Sequence, residues 1–178
     1  MTDDHNNHES EERKPCANAA VRVAAVDACL RPALLRLSVH PAQRGYVGKI
    51  ADLLADAAQC PASESMAILC DDAPVGYYRI EPNARSVAGH DLDAPALGLR
   101  SFFIDAAWQG RGLARQALHS MFADLAQRHP QARLLALTVN CMNHAARHLY
   151  LSAGFVDSGE LYHGGRSGPQ HLLWRPLP

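Results

Sequence analysis

The chain has 178 residues, enough for one domain with a sizeable core. Its formal net charge of −1 excludes a nucleic-acid binder that relies on bulk positive charge, and no apolar run is long enough to span a bilayer. The sequence does not open with a positive stretch followed by an apolar one, so we expect no secretory signal. The cysteines are scattered, odd in number and without a C-x-x-C pair, which favours reduced thiols in the cytoplasm.

Residues 1–18 form an acidic segment with almost no apolar side chains. Such a segment cannot bury enough surface to offset the entropy of ordering, so we expect a disordered tail followed by one domain over residues 19–178. That domain begins with a β-prone run at 21–23 and an apolar segment at 30–37. In residues 43–59, apolar side chains recur every three or four positions and predict one helix with a buried face.

Strands are predicted next at 67–69 and 75–80, joined by a turn, and the Pro-, Asn- and Gly-rich residues 81–95 are expected to form a loop. The second half is more regular. It predicts strands at 97–105, 134–139, 155–162 and 171–174, and helices at 112–128 and 143–152. Strands that alternate with helices, with hairpins at both ends, indicate an α/β layered domain with a mixed sheet.

A glycine-containing loop connects the strand at 97–105 to the helix at 112–128. Gly110 and Gly112 have no Cβ atom that would keep a ligand away from the backbone. The first N–H groups of the helix are unpaired within it and lie at its positive end, and Arg111 and Arg115 add positive charge. We therefore predict an anion site with phosphate as its ligand. A P-loop lysine is absent, and Arg115 replaces the third glycine of a dinucleotide fingerprint.

Three blocks of sequence resemble the GNAT superfamily of acetyl-CoA-dependent N-acetyltransferases. The pattern Gln109-x-x-Gly112-x-Ala114 resembles its pyrophosphate loop, and the sequence LYLSAGF, which begins at Leu149, resembles its LYxxxGF segment. Upstream, LSVHPAQ at 37–43, Tyr46-Val47 and PVG at 74–76 are similar to a bacterial branch that includes spermine/spermidine acetyltransferases. The resemblance covers residues 21–173. It implies the GNAT fold, a mixed and mostly antiparallel sheet flanked by helices, with splayed central strands.

The resemblance also implies acetyl-CoA as the cofactor and gives roles to the matching residues. Tyr150 is the expected acid that protonates the departing thiolate, since a phenol with a pKa near ~10 is protonated at neutral pH. A backbone N–H near Phe103 is expected to stabilise the oxyanion. Contacts to CoA are expected from Phe102, Phe103, Ile104, Gln109, Gly110, Arg111, Gly112, Leu113, Ala114, Asn140 and Asn143. No metal ligand is predicted.

The general base stays open at this stage. Several polyamine-acetylating relatives have a carboxylate just before the aromatic pair, where this chain has Arg100 and Ser101. This departure weakens a polyamine mechanism without excluding a polyamine as acceptor. Three side chains are alternatives that would act through a water molecule, and the sequence does not rank them: Glu81, Glu160 and His171.

The main interpretation is an enzyme that moves acetyl to a primary amine, either a small amine or a polyamine-like one, by direct attack in a ternary complex. The alternatives are a non-catalytic acyl-CoA-binding sensor and a peptide or protein N-acetyltransferase. His144 and His148 have a spacing that suits a metal, but a solvated helix face explains them better. Cys141 is a lesser alternative as a nucleophile. We expect neither nucleic acid nor a membrane as a partner. Homodimers are common in the superfamily, although nothing in the sequence requires one.

Overall fold

The computed structural model describes residues 20–165 and 167–178, so the prediction of a disordered tail at 1–18 lies outside the described residues. The strands are β1 (Val21–Ala25), β2 (Glu64–Cys70), β3 (Ala73–Glu81), β4 (Ala96–Ile104), β5 (Leu134–Asn140), β6 (Val156–Tyr162) and β7 (Gln170–Pro176). The helices are α1 (Arg31–Leu34), α2 (Arg44–Val47), α3 (Ile50–Ala58), α4 (Arg85–Ala88), α5 (Leu113–Arg128) and α6 (His144–Ser152), with 3-10 turns at Pro41–Gln43 and Ala106–Trp108.

The described strands form one sheet in the order β1-β2-β3-β4-β5-β7-β6. The pairing of β4 with β5 is parallel, and the other described pairings are antiparallel. Helices α5 and α6 pack on one face over the largest core cluster, while α3 packs on the other face against Tyr77 and Phe103. The predicted mixed, mostly antiparallel sheet flanked by helices is confirmed. Within the described ranges, none of the helices has both the length and the apolar character needed to cross a bilayer.

The single helix predicted at 43–59 is wrong, because the chain breaks it at Gly48. The Gly48 N–H donates to the Arg44 carbonyl at 3.1 Å and ends α2, and Gly48 has a φ of +87°. Lys49 is extended, and α3 then begins at Ile50. The apolar periodicity continues across this break, so periodicity alone did not reveal it. The loop predicted at 81–95 contains the single-turn helix α4, which packs Ala84 and Val87 against Ala136.

Strand β4 is irregular on both of its sides. Toward β3, Arg100 pairs with Arg79 and Phe103 pairs with Tyr77, so two β4 residues oppose one β3 residue in a β-bulge. Ser101 in this bulge has a φ of +57°. Toward β5, the pairing extends only from Ala96 to Leu99. Beyond Leu99 the two strands diverge, which confirms the predicted splaying and leaves the end of β4 open.

Candidate active site

A cavity of about 620 Å³ lies where β4 and β5 diverge. Its walls come from the end of β4, the loop before α5, the first turn of α5, one side of α6 and the segment around α2. The structure brings most of the predicted site residues together in its lining: Phe102, Phe103, Ile104, Gln109, Gly110, Gly112, Leu113, Ala114, Asn143 and Tyr150. Arg111 and Asn140 are not among the lining residues.

The loop before α5 exposes backbone to this cavity. Gly110 and Gly112 have φ values of +77° and +75°, a region that residues with a side chain rarely adopt. A Cβ atom added at either position would meet no protein atom within 4 Å, so both glycines face open space. Gly112 is the N-cap of α5, the first turn of α5 holds no acidic residue, and Arg115 from that turn lines the cavity. The unpaired N–H groups at this positive helix end are therefore accessible to an anion.

The open side of β4 presents backbone groups of Ile104. The N–H of Asp105 donates to the Val75 carbonyl on β3 at 2.8 Å. Because successive strand residues point their backbone groups to opposite sides, those of Ile104 point toward the gap with β5. The Ile104 carbonyl accepts a hydrogen bond from Nε2 of Gln109 at 2.8 Å. The N–H near Phe103 that faces the cavity is therefore the one of Ile104.

Tyr150 lies on α6 and reaches the cavity from the core. Its side chain is 7% exposed and packs against Phe102 and Phe155, with ring centroids 6.2 and 5.5 Å away. Burial raises the pKa of the Tyr150 phenol above its usual value, so the hydroxyl keeps its proton at neutral pH. The structure thus offers a buried proton donor at this wall of the cavity.

Asn140 and Asn143 flank the turn before α6 and differ in their access to the cavity. Asn140 donates from Nδ2 to the Ser167 carbonyl at 2.6 Å, and its Oδ1 accepts from the Met142 N–H at 2.8 Å. Both ends of this amide therefore hold the turn and the loop between β6 and β7. Asn143 caps α6 by accepting from the Ala146 N–H at 3.2 Å, and it also lines the cavity.

Arg111 is not among the lining residues, and its side chain contacts the loop before α5. Its guanidinium donates to the Ala107 carbonyl at 3.1 Å and lies over the Trp108 ring, 5.1 Å from the centroid. Trp108 itself lines the cavity. The guanidinium therefore stabilises the loop by these two contacts.

The segment around α2 supplies a wall that the predicted site residues did not include. We define the acceptor wall as Val39, Gln43, Tyr46 and Val47, all of which line the cavity. Gln43 and Gln109 form a reciprocal amide pair: Nε2 of Gln109 donates to Oε1 of Gln43 at 2.9 Å, and Nε2 of Gln43 donates back at 3.2 Å. The upstream motif of the resemblance contains all four residues, so that motif was the signal that could have found them.

A second contact joins the same two segments. The Ser38 N–H donates to Oδ2 of Asp105 at 2.8 Å, and the Ala106 N–H donates to the Ser38 carbonyl at 2.7 Å. Asp105 Oδ1 also accepts from the Ala107 N–H at 3.0 Å. The acceptor wall is therefore fixed to the loop before α5 by backbone as well as side-chain hydrogen bonds.

Glu81, one of the proposed bases, belongs to a buried ion-pair network that is not part of the cavity lining. Its Oε1 lies 2.6 Å from Nε of Arg79 and 3.8 Å from Nη1 of Arg100, and its Oε2 accepts from the Ser63 hydroxyl at 2.6 Å. Arg79 is 3% exposed and also contacts Asp56 on α3. This carboxylate balances a buried guanidinium and does not line the cavity.

The other two proposed bases also lie outside the lining. Nδ1 of His171 is 3.2 Å from the Asp157 carboxylate, and the Glu160 carboxylate is 3.1 Å from Nε2 of His90. In the part of the chain that the structure describes, no group of three or more His, Cys, Asp or Glu side chains is arranged to hold a metal ion. The structure brings none of the three candidate bases to the cavity.

One cavity combines the gap between splayed strands, the open N-terminus of a helix and a buried phenol. This combination is typical of transferases that use acyl-CoA. A family model, described as the acetyltransferase (GNAT) family, matches residues 34–155. The chain therefore belongs to this family, and the predicted fold and enzyme class, an acetyl-CoA-dependent N-acetyltransferase, are confirmed.

Two relatives from Bacillus subtilis are similar in sequence. An N-acetyltransferase called YbbJ is 34% identical over 92 residues, which are 52% of this chain and 58% of that protein. A spermine/spermidine N(1)-acetyltransferase is 28% identical over 148 residues, which are 82% of this chain and 94% of that enzyme. A solved structure of spermidine N-acetyltransferase from Vibrio cholerae with CoA and spermine has a TM-score of 0.66 at 17% identity, covering 89% of this chain and 96% of the other. At that identity the likeness supports the fold alone.

Proposed function

We propose that this chain transfers the acetyl group of acetyl-CoA to a primary amine by direct attack in a ternary complex. The observation that carries the proposal is the cavity that joins the open first turn of α5, the unpaired end of β4 and the buried phenol of Tyr150. An acyl donor with a diphosphate, two amides and a thioester needs an anion site, a backbone edge and a proton donor. We call these three features, the first turn of α5, the unpaired end of β4 and Tyr150, the donor end of the cavity.

The residues of the donor end fit this cofactor. Backbone N–H groups from Gly110 to Ala114 hold the diphosphate, because the glycines leave them uncovered and Arg115 adds positive charge. The end of β4, from Phe102 to Ile104, offers backbone groups to the pantetheine amides. Asn143 lies at the same wall. We propose supporting roles for Arg111, which braces the loop, and for Asn140, which holds the turn before α6.

The protein groups then act on the two ends of the reacting bond. Acetyl-CoA supplies an acetyl thioester, so a C–N bond forms with the amine and the C–S bond breaks. The CoA sulfur takes the proton of the Tyr150 hydroxyl, and the proton that the amine loses restores this hydroxyl. The Ile104 N–H stabilises negative charge on the carbonyl oxygen, since a fixed backbone donor needs no reorganisation. The Tyr150 hydroxyl donates to the sulfur, because burial keeps it protonated. The acceptor wall holds the amine.

The identity of the acceptor and a sensor function are separate questions. The Bacillus relative named as a spermine/spermidine acetyltransferase supports an amine as the acceptor. One observation favours a non-catalytic acyl-CoA sensor instead: none of Glu81, Glu160 and His171 lines the cavity. A peptide α-amine is the third candidate, and a screen of peptides beside small amines separates it.

The test combines binding with turnover. We expect calorimetry to show that acetyl-CoA binds to the purified full chain and that free CoA competes. We then expect thiol release from acetyl-CoA with at least one member of a panel of small amines and peptides. Absence of acetyl-CoA binding would refute the proposed function, and binding without transfer to any amine would establish the sensor.

A further inference from the structure

We infer that the acceptor carries no positive charge other than the amine that reacts, so its remainder is neutral or anionic. The inference rests on the proposed function and narrows its substrate class. It runs against the polyamine specificity in the names of some relatives. The argument comes from the charges of the segments that enclose the cavity.

None of the described residues that line the cavity carries a carboxylate. One of these described lining residues, Arg115 in the first turn of α5, has a basic side chain. The acceptor wall offers two aliphatic side chains, one amide and one phenol, and Phe103 adds an aromatic ring beside it. Tyr46 is 40% exposed, so the wall opens to solvent there. These surfaces suit an apolar or polar neutral body and offer no counter-charge to an ammonium group.

The wider segments around the cavity are cationic. Residues 36–49, 96–116 and 134–155 include one acidic residue, Asp105, and seven basic ones: Arg36, Arg44, Lys49, Arg100, Arg111, Arg115 and Arg147. Two of the seven, Arg100 and Arg147, face the carboxylates of Glu81 and Asp157, and the other five still outnumber Asp105. Asp105 accepts backbone hydrogen bonds from Ser38 and Ala107, so its oxygens are engaged in holding the acceptor wall. This excess of positive charge attracts the diphosphate of the donor and repels an acceptor with several ammonium groups.

The buried carboxylate of Glu81, which does not line the cavity, does not alter this balance. Glu81 is 4% exposed and is shared by Arg79, Arg100 and the Ser63 hydroxyl. Arg100 stands just before the bulge of β4, with its side chain 45% exposed. A second ammonium group on the acceptor would find no carboxylate partner among the described residues that line the cavity. Moving an ammonium from water to such a site is unfavourable unless the site pairs it.

Three acceptors of equal chain length test the inference, because they differ only in the far end: hexylamine, 1,6-diaminohexane and 6-aminohexanoate. We expect kcat/KM per amine to be lower for the diamine than for the other two by at least about tenfold, a modest cost for one unpaired like charge. Added salt should narrow this difference because it screens the repulsion. Calorimetry with the CoA-saturated full chain should rank the binding of the three amines in the same order.

A matched pair of variants makes the test independent of the native rates. Tyr46→Glu places a carboxylate on the acceptor wall, and Tyr46→Gln is a control of similar shape without the charge. We expect Tyr46→Glu to raise the ratio of diamine to hexylamine kcat/KM by about tenfold, and Tyr46→Gln to leave the ratio near its native value. A carboxylate that leaves the ratio unchanged would contradict the inference.

The outcomes separate the inference from the proposed function. If acetyl-CoA binds and the diamine is the best of the three acceptors, the inference is wrong while the acetyltransferase assignment stands. If acetyl-CoA binds and none of the three is acetylated, the calorimetric ranking decides: tighter binding of the diamine than of hexylamine overturns the inference, and weaker binding supports it. Failure of acetyl-CoA itself to bind would refute the proposed function first.

Discussion

The donor end and the acceptor wall are built from different parts of the chain. The donor end uses backbone: glycines with positive φ, the first turn of α5 and the unpaired end of β4. The acceptor wall uses side chains, and the Gln43–Gln109 pair joins it to the loop before α5. Backbone groups bind a ligand only in a particular chain conformation, and that conformation requires glycines at fixed positions in the sequence. Side chains that line a wall can be substituted without changing the chain conformation, so they can differ from one substrate to another. The two regions should therefore respond differently to substitution.

The largest expected effect is at the donor end, in the variant Gly112→Asp. Gly112 lines the cavity at the proposed anion site, so we expect a carboxylate there to repel the diphosphate. We expect the Kd for acetyl-CoA, measured by calorimetry, to rise by at least about 100-fold, since repulsion adds to the loss of backbone access. Gly159→Asp is the matched control, because Gly159 has a φ of +80° and also faces open space, on β6. If the control weakens acetyl-CoA binding equally, backbone strain and not the anion site explains the result.

The next effect separates chemistry from binding at the same end. Tyr150→Phe removes the buried hydroxyl and keeps the ring that packs on Phe102 and Phe155. We expect kcat to fall by about 100-fold, as for other positioned general acids, while the Kd for acetyl-CoA changes little. Tyr78→Phe is the control, since Tyr78 is also buried beside Phe102 but does not line the cavity. Unchanged kcat in Tyr150→Phe would remove this phenol from the mechanism.

The sequence predicted the residues that line the donor end of the cavity far better than those of the acceptor wall, because positions that need a special backbone conformation show as glycines. Gly110, Gly112 and the helix after them follow from conformational rules, and the LYLSAGF block located Tyr150. The break at Gly48 and the bulge at Ser101 depend on tertiary pairing that periodicity does not report. Sequence spacing also could not show that Arg111 and Asn140 turn to backbone partners. Likewise, only the folded chain shows that Arg79 engages Glu81.

The composition of the cavity lining predicts that the pH dependence of kcat/KM follows the acceptor amine and not an enzymic base. Since no carboxylate or histidine among the described residues lines the cavity, the amine should react from its neutral form. We expect kcat/KM to fall about tenfold per pH unit below the pKa of the acceptor amine itself. Two amines of different pKa should give profiles displaced by the difference between their pKa values. A break at one shared pH for both would instead reveal an enzymic base such as Glu160 or His171.

The same profiles should lack an early alkaline limb. The pKa of Tyr150 is raised by burial, so the phenol in the folded enzyme loses its proton only above its ordinary pKa of about 10. Up to that pH Tyr150 is fully protonated, so kcat/KM for an amine of low pKa should stay on its plateau. The free energy of unfolding should depend on pH in the same direction. The contribution of the neutral Tyr150 phenol to it is present below about pH 10 and is lost as the pH rises above that value.

The smallest expected effect tests the joint between the two regions. Gln43→Met and Gln109→Met keep side-chain length but remove the reciprocal amide bonds. In a double-mutant cycle we expect a coupling in the free energy of unfolding of about 1 kcal/mol, typical of a hydrogen-bonded pair. Gln43→Met combined with Gln127→Met, an exposed position on α5, should have additive effects on the free energy of unfolding.

The same variant tests whether the pair positions the acceptor wall. If it does, Gln43→Met raises the KM for the amine by a larger factor than the KM for acetyl-CoA. Equal changes in both KM values would mean that the pair stabilises only the fold, because loss of the hydrogen bonds would then not affect the acceptor wall more than the donor end.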